Sequence, residues 1–221
     1  LFPYTTITNG EFVGSDQSPV FTEGTDITLL RGALLASGYV DLYRVTKHQP
    51  YLDYAIHIAK TTAKFQREDG SFPYRLNPET AVVSEHYTPA AGDFAALVRA
   101  LEPYYFDPDL SMAAQRAVNW TIATVCTSHH WKGVFEDVSL WPPFSNLSSF
   151  QAQLFTQFLC QYYDEDPSFA PLARSLNRYI EDQFVVFSQD SEAFVHPVKG
   201  IVSIKGPLVC EQFVCWFPME A

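Results

Sequence analysis

The chain reads as an all-helical protein assembled from stacked helical hairpins, about three and a half of them. Three observations predict this. Pro50, Pro108 and Pro167 each stand before an amphipathic segment, 58 and then 59 residues apart. A proline at a first helical position is tolerated because its missing N–H has no intrahelical partner there. Each segment then runs into a turn with an aromatic at a comparable offset: Gly70-Ser71-Phe72, Gly133-Val134-Phe135 and Glu192-Ala193-Phe194. Finally, short links alternate with long loops, so a period near 59 suits a hairpin with a long exit loop.

The clearest unit is Pro50 to Tyr74. Leu52, Ile56, Ala59 and Ala63 fall on one helical face, and Asp69-Gly70 supplies the turn that ends the helix. Residues 1–22 form a lead-in rich in Gly, Pro, Ser and Thr, and residues 23–221 form the helical domain, read as part of a longer chain. Thr25 or Asp26 is expected to cap a first helix through about Lys47. Its small centre, Gly32-Ala33 and Ala36-Ser37-Gly38, permits close helix approach. Asp93 is expected to open the next helix as a cap-like residue. Helices follow over 109–127, about 148–163 and about 168–187, and a fourth inner helix is expected from Leu208. Helices that follow long loops are small-residue rich in the first two pairs, which assigns them to the inside.

Bulk properties narrow the function. With 221 residues and 47% hydrophobic content, a sizeable core is affordable. A net charge of −11 offers no basic stripe to phosphate, which argues against a nucleic-acid partner. No apolar run is long enough to span a membrane. Cys126, Cys160, Cys210 and Cys215 are irregularly spaced and lie among apolar neighbours, so free thiols and no zinc knuckle are expected. Neither a metal nor another cofactor is called for. His129-His130 lacks a third ligand, and adjacent side chains on extended backbone point apart. Location stays open between a secreted or periplasmic setting, which is favoured, and the cytoplasm; the oligomeric state also stays open.

The stretch Tyr51-Leu52 through Phe65-Gln66 to Asp69-Gly70-Ser71-Phe72 resembles the hairpin exit of the α/α toroids of the six-hairpin glycosidase-like superfamily. It is also similar to the Gln-Trp repeat of triterpene cyclases, with Phe72 in the tryptophan position, although no Asp-x-Asp-Asp motif accompanies it. The resemblance covers roughly residues 23–217 and implies an α/α toroid, or an incomplete one, that acts on carbohydrate. A closed ring of six such hairpins needs roughly 350 residues by the repeat logic. Because such folds host several chemistries, the activity has to be read from the site.

The long loops are expected to gather on one rim, before the N-termini of the inner helices. Backbone N–H groups and a partial positive charge there favour anions. Glycoside hydrolysis needs two carboxyls, one protonated and one ionised. Glu136 or Asp137, beside aromatics in VFEDVSLW, is one candidate; Glu85, Asp93 or Glu23 is the partner. Glu85, His86 and Tyr87, with Arg75 as a carboxylate clamp, support the alternative of a uronate lyase or epimerase. Tyr74, Trp131 and Trp141 are candidate stacking rings, and Glu23 and Glu211 further rim contacts, for an oligosaccharide or polysaccharide substrate. A glycoside hydrolase, possessing two rim carboxylates, is the leading reading; a non-catalytic helical binding scaffold is the third.

Overall fold

The computed structural model describes residues 6–8, 11–13, 27–77, 79–131, 145–186, 194–196, 200–202, 208–209 and 212–215, with side chains over 27–77, 79–131 and 149–184. In chain order the elements are β1 (Thr6–Thr8), β2 (Glu11–Val13), β3 (Ile27–Thr28), α1 (Leu29–Thr46), α2 (Gln49–Ala63), β4 (Arg75–Leu76), β5 (Val83–Glu85), α3 (Ala91–Leu101) and α4 (Pro108–Trp120). A π-helical turn (Thr121–Cys126) prolongs α4. Then follow β6 (Ser145–Ser148), α5 (Ser149–Gln161), α6 (Phe169–Phe184), β7 (Val185–Val186), β8 (Phe194–His196), β9 (Gly200–Val202), β10 (Leu208–Val209) and β11 (Gln212–Cys215).

Among the described residues six α-helices form three antiparallel hairpins, α1/α2, α3/α4 and α5/α6. Helix α3 packs on both α1 and α5, so the helices that follow long loops make one continuous layer, and α2 packs on α4 behind it. Small residues permit this stacking: Gly32, Ala33 and Ala36 of α1 and Ala91, Gly92 and Ala95 of α3 are buried. Proline starts α2 and α4 as expected, and Asp107 caps α4 by accepting from the N–H groups of Asp109 and Leu110.

The Gln-x-x-Asp-Gly-Ser-Phe exit is a buckle between hairpins. The Gln66 amide donates to the carbonyls of Gly70 at 3.2 Å and Ala113 at 2.8 Å, while the Arg116 guanidinium donates to Gln66 Oε1 at 2.8 Å. One side chain thus ties the end of α2 to the middle of α4. Asp69 Oδ1 accepts from both the Ser71 N–H and hydroxyl, which fixes the turn; desolvation is the largest single influence on its carboxyl, yet these bonds and the Arg67 charge together outweigh it and hold the carboxyl below the usual range. Gly70 sits at φ +95°, and a Cβ there would stand 2.3 Å from the Arg116 carbonyl oxygen. Gly70→Ala is therefore expected to cost about 1–3 kcal/mol, read as a lower urea midpoint with unchanged slope.

Several expectations are corrected. The organising helix buries Leu52, Ala55, Ile58, Ala59 and Thr62, leaving Ile56 and Ala63 only half-buried, so its core face is turned from the one expected. No side chain caps α1, which begins after Thr28. The helix expected from Leu208 is absent: β10 pairs antiparallel with β7, and β11 with β6. Val209, Phe213 and Val214 are residues that favour strands, and pairing partners far back in the chain decide the outcome. The lead-in carries the β1/β2 hairpin. Cys126 and Cys160 are free thiols, the first buried and its thiol pushed up to about 12 by desolvation. The side chains of Cys210 and Cys215 lie outside the described residues.

Candidate active site at the inner-helix rim

The first long loop is not a bare loop. β3, β4 and β5 form a small antiparallel sheet, with Ile27 opposite Leu76 and Arg75 opposite Glu85. The Leu29 N–H donates to the Tyr74 carbonyl at 3.1 Å, so this sheet is fastened to the first residue of α1. The same sheet places Arg75 against Glu85, with Nη1 and Oε1 3.4 Å apart, and stacks the guanidinium 5.2 Å from the Tyr74 ring centroid.

Beside the sheet, the starts of the three inner helices converge. Arg31 from the first turn of α1 lies over the Phe150 ring of α5 at 5.9 Å. Asp93, in the first turn of α3, is buried with 8% of its surface exposed. Its carboxyl is raised to about 7, chiefly by desolvation, with the Gln151 amide of α5 and the positive charge of Arg31 pulling the other way. The sequence offers Asp93 both as a cap-like residue and as a candidate partner carboxyl. In the fold the N-cap position belongs to Ala90, and Asp93 is the third residue of the helix, buried within its first turn. The signal available in the sequence was the run of small residues before it, Ala90-Ala91-Gly92, which marks a place where another helix comes close.

His86 and Tyr87 follow β5 and diverge. The exposed His86 is held by Arg67, whose Nη1 donates to the His86 carbonyl at 2.9 Å and whose Nη2 lies 3.4 Å from Nδ1. Tyr87 donates its hydroxyl to the His130 carbonyl and stacks on the His130 ring at 4.3 Å. Burial raises its phenol further above the ordinary value. His129, one residue earlier, stacks on Tyr179 of α6 at 4.8 Å. The two histidines thus face opposite sides, one fastening the first long loop and the other the third hairpin. The Tyr87–His130 contact also shows consecutive long loops meeting at one end of the bundle.

The aromatic set is placed differently from the expectation. Trp131 is wholly buried and packs against Phe155 at 6.5 Å, so it offers no face to a sugar. Tyr74 is likewise buried, its phenol raised to about 12 by desolvation against the pull of Arg75 and Arg31. Arg75 is buried too. Glu23, Glu136, Asp137, Trp141 and Glu211 lie outside the described residues. Among the described residues no group of three His, Cys, Asp or Glu side chains could hold a metal, and no helix is long and apolar enough to cross a membrane.

No protein-family model matches the sequence. No curated protein matches it either. Solved structures do. An unsaturated glucuronyl hydrolase from Bacillus sp. GL1, described as responsible for the degradation of glycosaminoglycan, is 18% identical with a TM-score of 0.52, over 76% of this chain and 50% of that one. A family 105 glycoside hydrolase from C. acetobutylicum ATCC 824 is 13% identical with a TM-score of 0.55, over 74% of this chain and 51% of that one. An aspartate-to-asparagine variant of UGL with the saccharide dGlcA-Glc-Rha-Glc is 18% identical with a TM-score of 0.51, over 78% and 50% of the two chains. This chain spans about half the length of these solved structures, and over that span it shares their α/α-toroid fold.

Proposed function

We propose that this chain carries the catalytic rim of a glycoside hydrolase that acts on a uronate-containing oligo- or polysaccharide, with Asp93 as the general acid. One observation carries the reading: a carboxyl buried where the inner helices converge, raised to about 7 and so able to hold a proton near neutral pH. A protonated carboxyl can give its proton to the leaving glycosidic oxygen, and a second, ionised carboxylate then serves as base or nucleophile. Among the described residues Glu85, beside Arg75, is the rim carboxylate proposed for that role; Glu136 and Asp137 stay the candidates from the second long loop. The half-buried guanidinium of Arg31, in the first turn of α1, supports a substrate that bears a carboxylate, whereas Arg75 is buried and holds Glu85. The names of the matching solved structures, glucuronyl hydrolases and a family 105 glycoside hydrolase, support the same class.

The lyase or epimerase reading needs a base, and the geometry favours it less, because Tyr87 spends its hydroxyl on the His130 carbonyl. An assay separates the two. Given a saccharide ending in an unsaturated uronyl ring, the hydrolase removes that ring's ultraviolet absorbance and releases a new reducing end. A lyase instead creates such absorbance from a saturated uronate polymer. The hydrolase result is expected; new absorbance from the saturated polymer, or no turnover of either substrate, contradicts the proposal.

A further inference from the structure

The hairpins stack side by side with α3 between α1 and α5, so the first and third hairpins are the two ends of the described stack. Both ends carry open faces. On α1 the side turned away from the buried Ala33, Ala36 and Val40 presents Leu35, Gly38, Leu42 and Val45, spaced as one helical stripe. Leu42 is 44% and Val45 80% exposed, and among the described residues a Cβ on Gly38 would meet nothing within 4 Å. Tyr54 of α2, itself exposed, adjoins the stripe through the Tyr39 ring at 5.7 Å. Scattered exposed apolar side chains are ordinary, but a continuous stripe of them marks an interaction surface. At the other end α5 and α6 form an open groove of about 580 Å³, bordered by Thr156, Cys160, Tyr163, Ala173, Arg174 and Arg178. Thr156 and Cys160 lie on the side of α5 turned away from Phe155, the ring that meets Gly92 of α3.

We propose that each of these faces seats the opposite end of a second copy of this chain, so that two copies join head to tail and close on each other. Charge selects this occupant. From Leu29 to Lys64 the first hairpin carries Arg31, Arg44, Lys47, Lys60 and Lys64 against Asp41 and Asp53, a net charge of +3 in a chain whose total is −11. From Ser149 to Phe184 the third hairpin carries Arg174 and Arg178 against Asp164, Glu165, Asp166, Glu181 and Asp182, a net charge of −3. Head-to-tail pairing therefore sets opposite signs together, whereas like end on like end sets equal signs together. The local chemistry agrees. An apolar helix stripe meets a groove between two helices, and the guanidiniums that border the groove suit the exposed face of Tyr54. This chain spans about half the length of the solved toroids, so two copies supply the length of one. A head-to-tail contact ends in a closed ring only where its rotation closes, and otherwise runs on as an open filament. The interface stands apart from the chemistry proposed for the rim.

The test is the mass of the full chain in solution, by light scattering during size exclusion at up to about 100 μM, a range that captures a weak dimer. Wild type is expected at twice the chain mass, with no larger species. Leu42→Glu on the stripe turns a carboxylate toward the acidic end, and should raise the dissociation constant about tenfold or more. Tyr163→Arg at the groove should do the same from the other side. Both side chains are exposed, so helical circular dichroism should not change. If either variant fails to fold, Val45→Glu or Thr156→Arg takes its place. Mixed in equal amounts, the two variants are expected to regain a dimer, because one keeps an intact groove and the other an intact stripe. Pairing of like ends instead leaves one variant as dimeric as wild type, and mixing restores nothing; that result overturns the proposal. A monomeric wild type overturns it too, and leaves the two faces to another segment or another protein. So does a series of larger species, which means the junction does not close, or a dimer that neither variant weakens, which means another surface makes it.

Discussion

Asp93→Asn is expected to lose hydrolytic turnover by about 10²–10⁴-fold, the usual worth of a positioned general acid, while substrate binding changes little. The same substitution should make the protein more stable above neutral pH. The folded carboxyl is raised to about 7 from an ordinary value of 3.8, so the folded state binds the proton more tightly than the unfolded one. Between those two values the folded state keeps its proton and the unfolded state does not, so stability falls as pH rises through that window. The full contribution is present below the unfolded value and is gone above about 7. A gap of this size corresponds to roughly 4 kcal/mol, an upper figure because a buried site relaxes when it ionises. Asparagine cannot ionise, so the variant should show a flatter pH dependence in urea denaturation. A protein that becomes inactive and sturdier by the same change separates a chemical role from a structural one.

Phe72→Ala is expected to cost about 3–5 kcal/mol. Phe72 is wholly buried, and its ring packs on Phe94 of α3 at 5.1 Å, one residue after Asp93. The ring therefore joins the exit turn of the first hairpin to the first turn of the second inner helix. Removing it leaves a cavity where no side chain is free to collapse, because the Asp69–Ser71 hydrogen bonds and the Gln66 bridge fix the turn above it. Thermal unfolding should shift down by many degrees, and any activity that survives should fall as the start of α3 loosens. Phe72→Leu, which keeps most of the volume, should recover the larger part of the stability.

How much of this was legible in the sequence follows from which interactions are local. Pro50 and Pro108 start helices, and Asp69-Gly70-Ser71-Phe72 ends a hairpin, because each acts on its own few neighbours. The small residues of α1 and α3 announced the inner layer, since close packing shows directly as missing side-chain volume. The sheet of β3, β4 and β5 was hidden because its strands are two or three residues long and pair across the whole first hairpin. Trp131 read as a loop ring because burial depends on Phe155 of the next hairpin. Asp93 read as cap-like beside its place among the candidate carboxyls for the same reason: an aspartate near a helix start is ordinarily a cap, and its burial depends on the helices packed around it. His86 and Tyr87, which carried the lyase or epimerase alternative, bear acid–base groups, but the fold directs them to Arg67 and to the His130 carbonyl.

The central claim is that the converging inner helices hold a carboxyl protonated near neutral pH at the rim. The measurement that tests it most directly is the titration of the Asp93 side-chain carbon in the wild-type chain, assigned by its loss in Asp93→Asn. The account predicts a midpoint near 7, as burial dictates against the pull of Gln151 and Arg31. A midpoint in the ordinary carboxylate range, near 4, would contradict it.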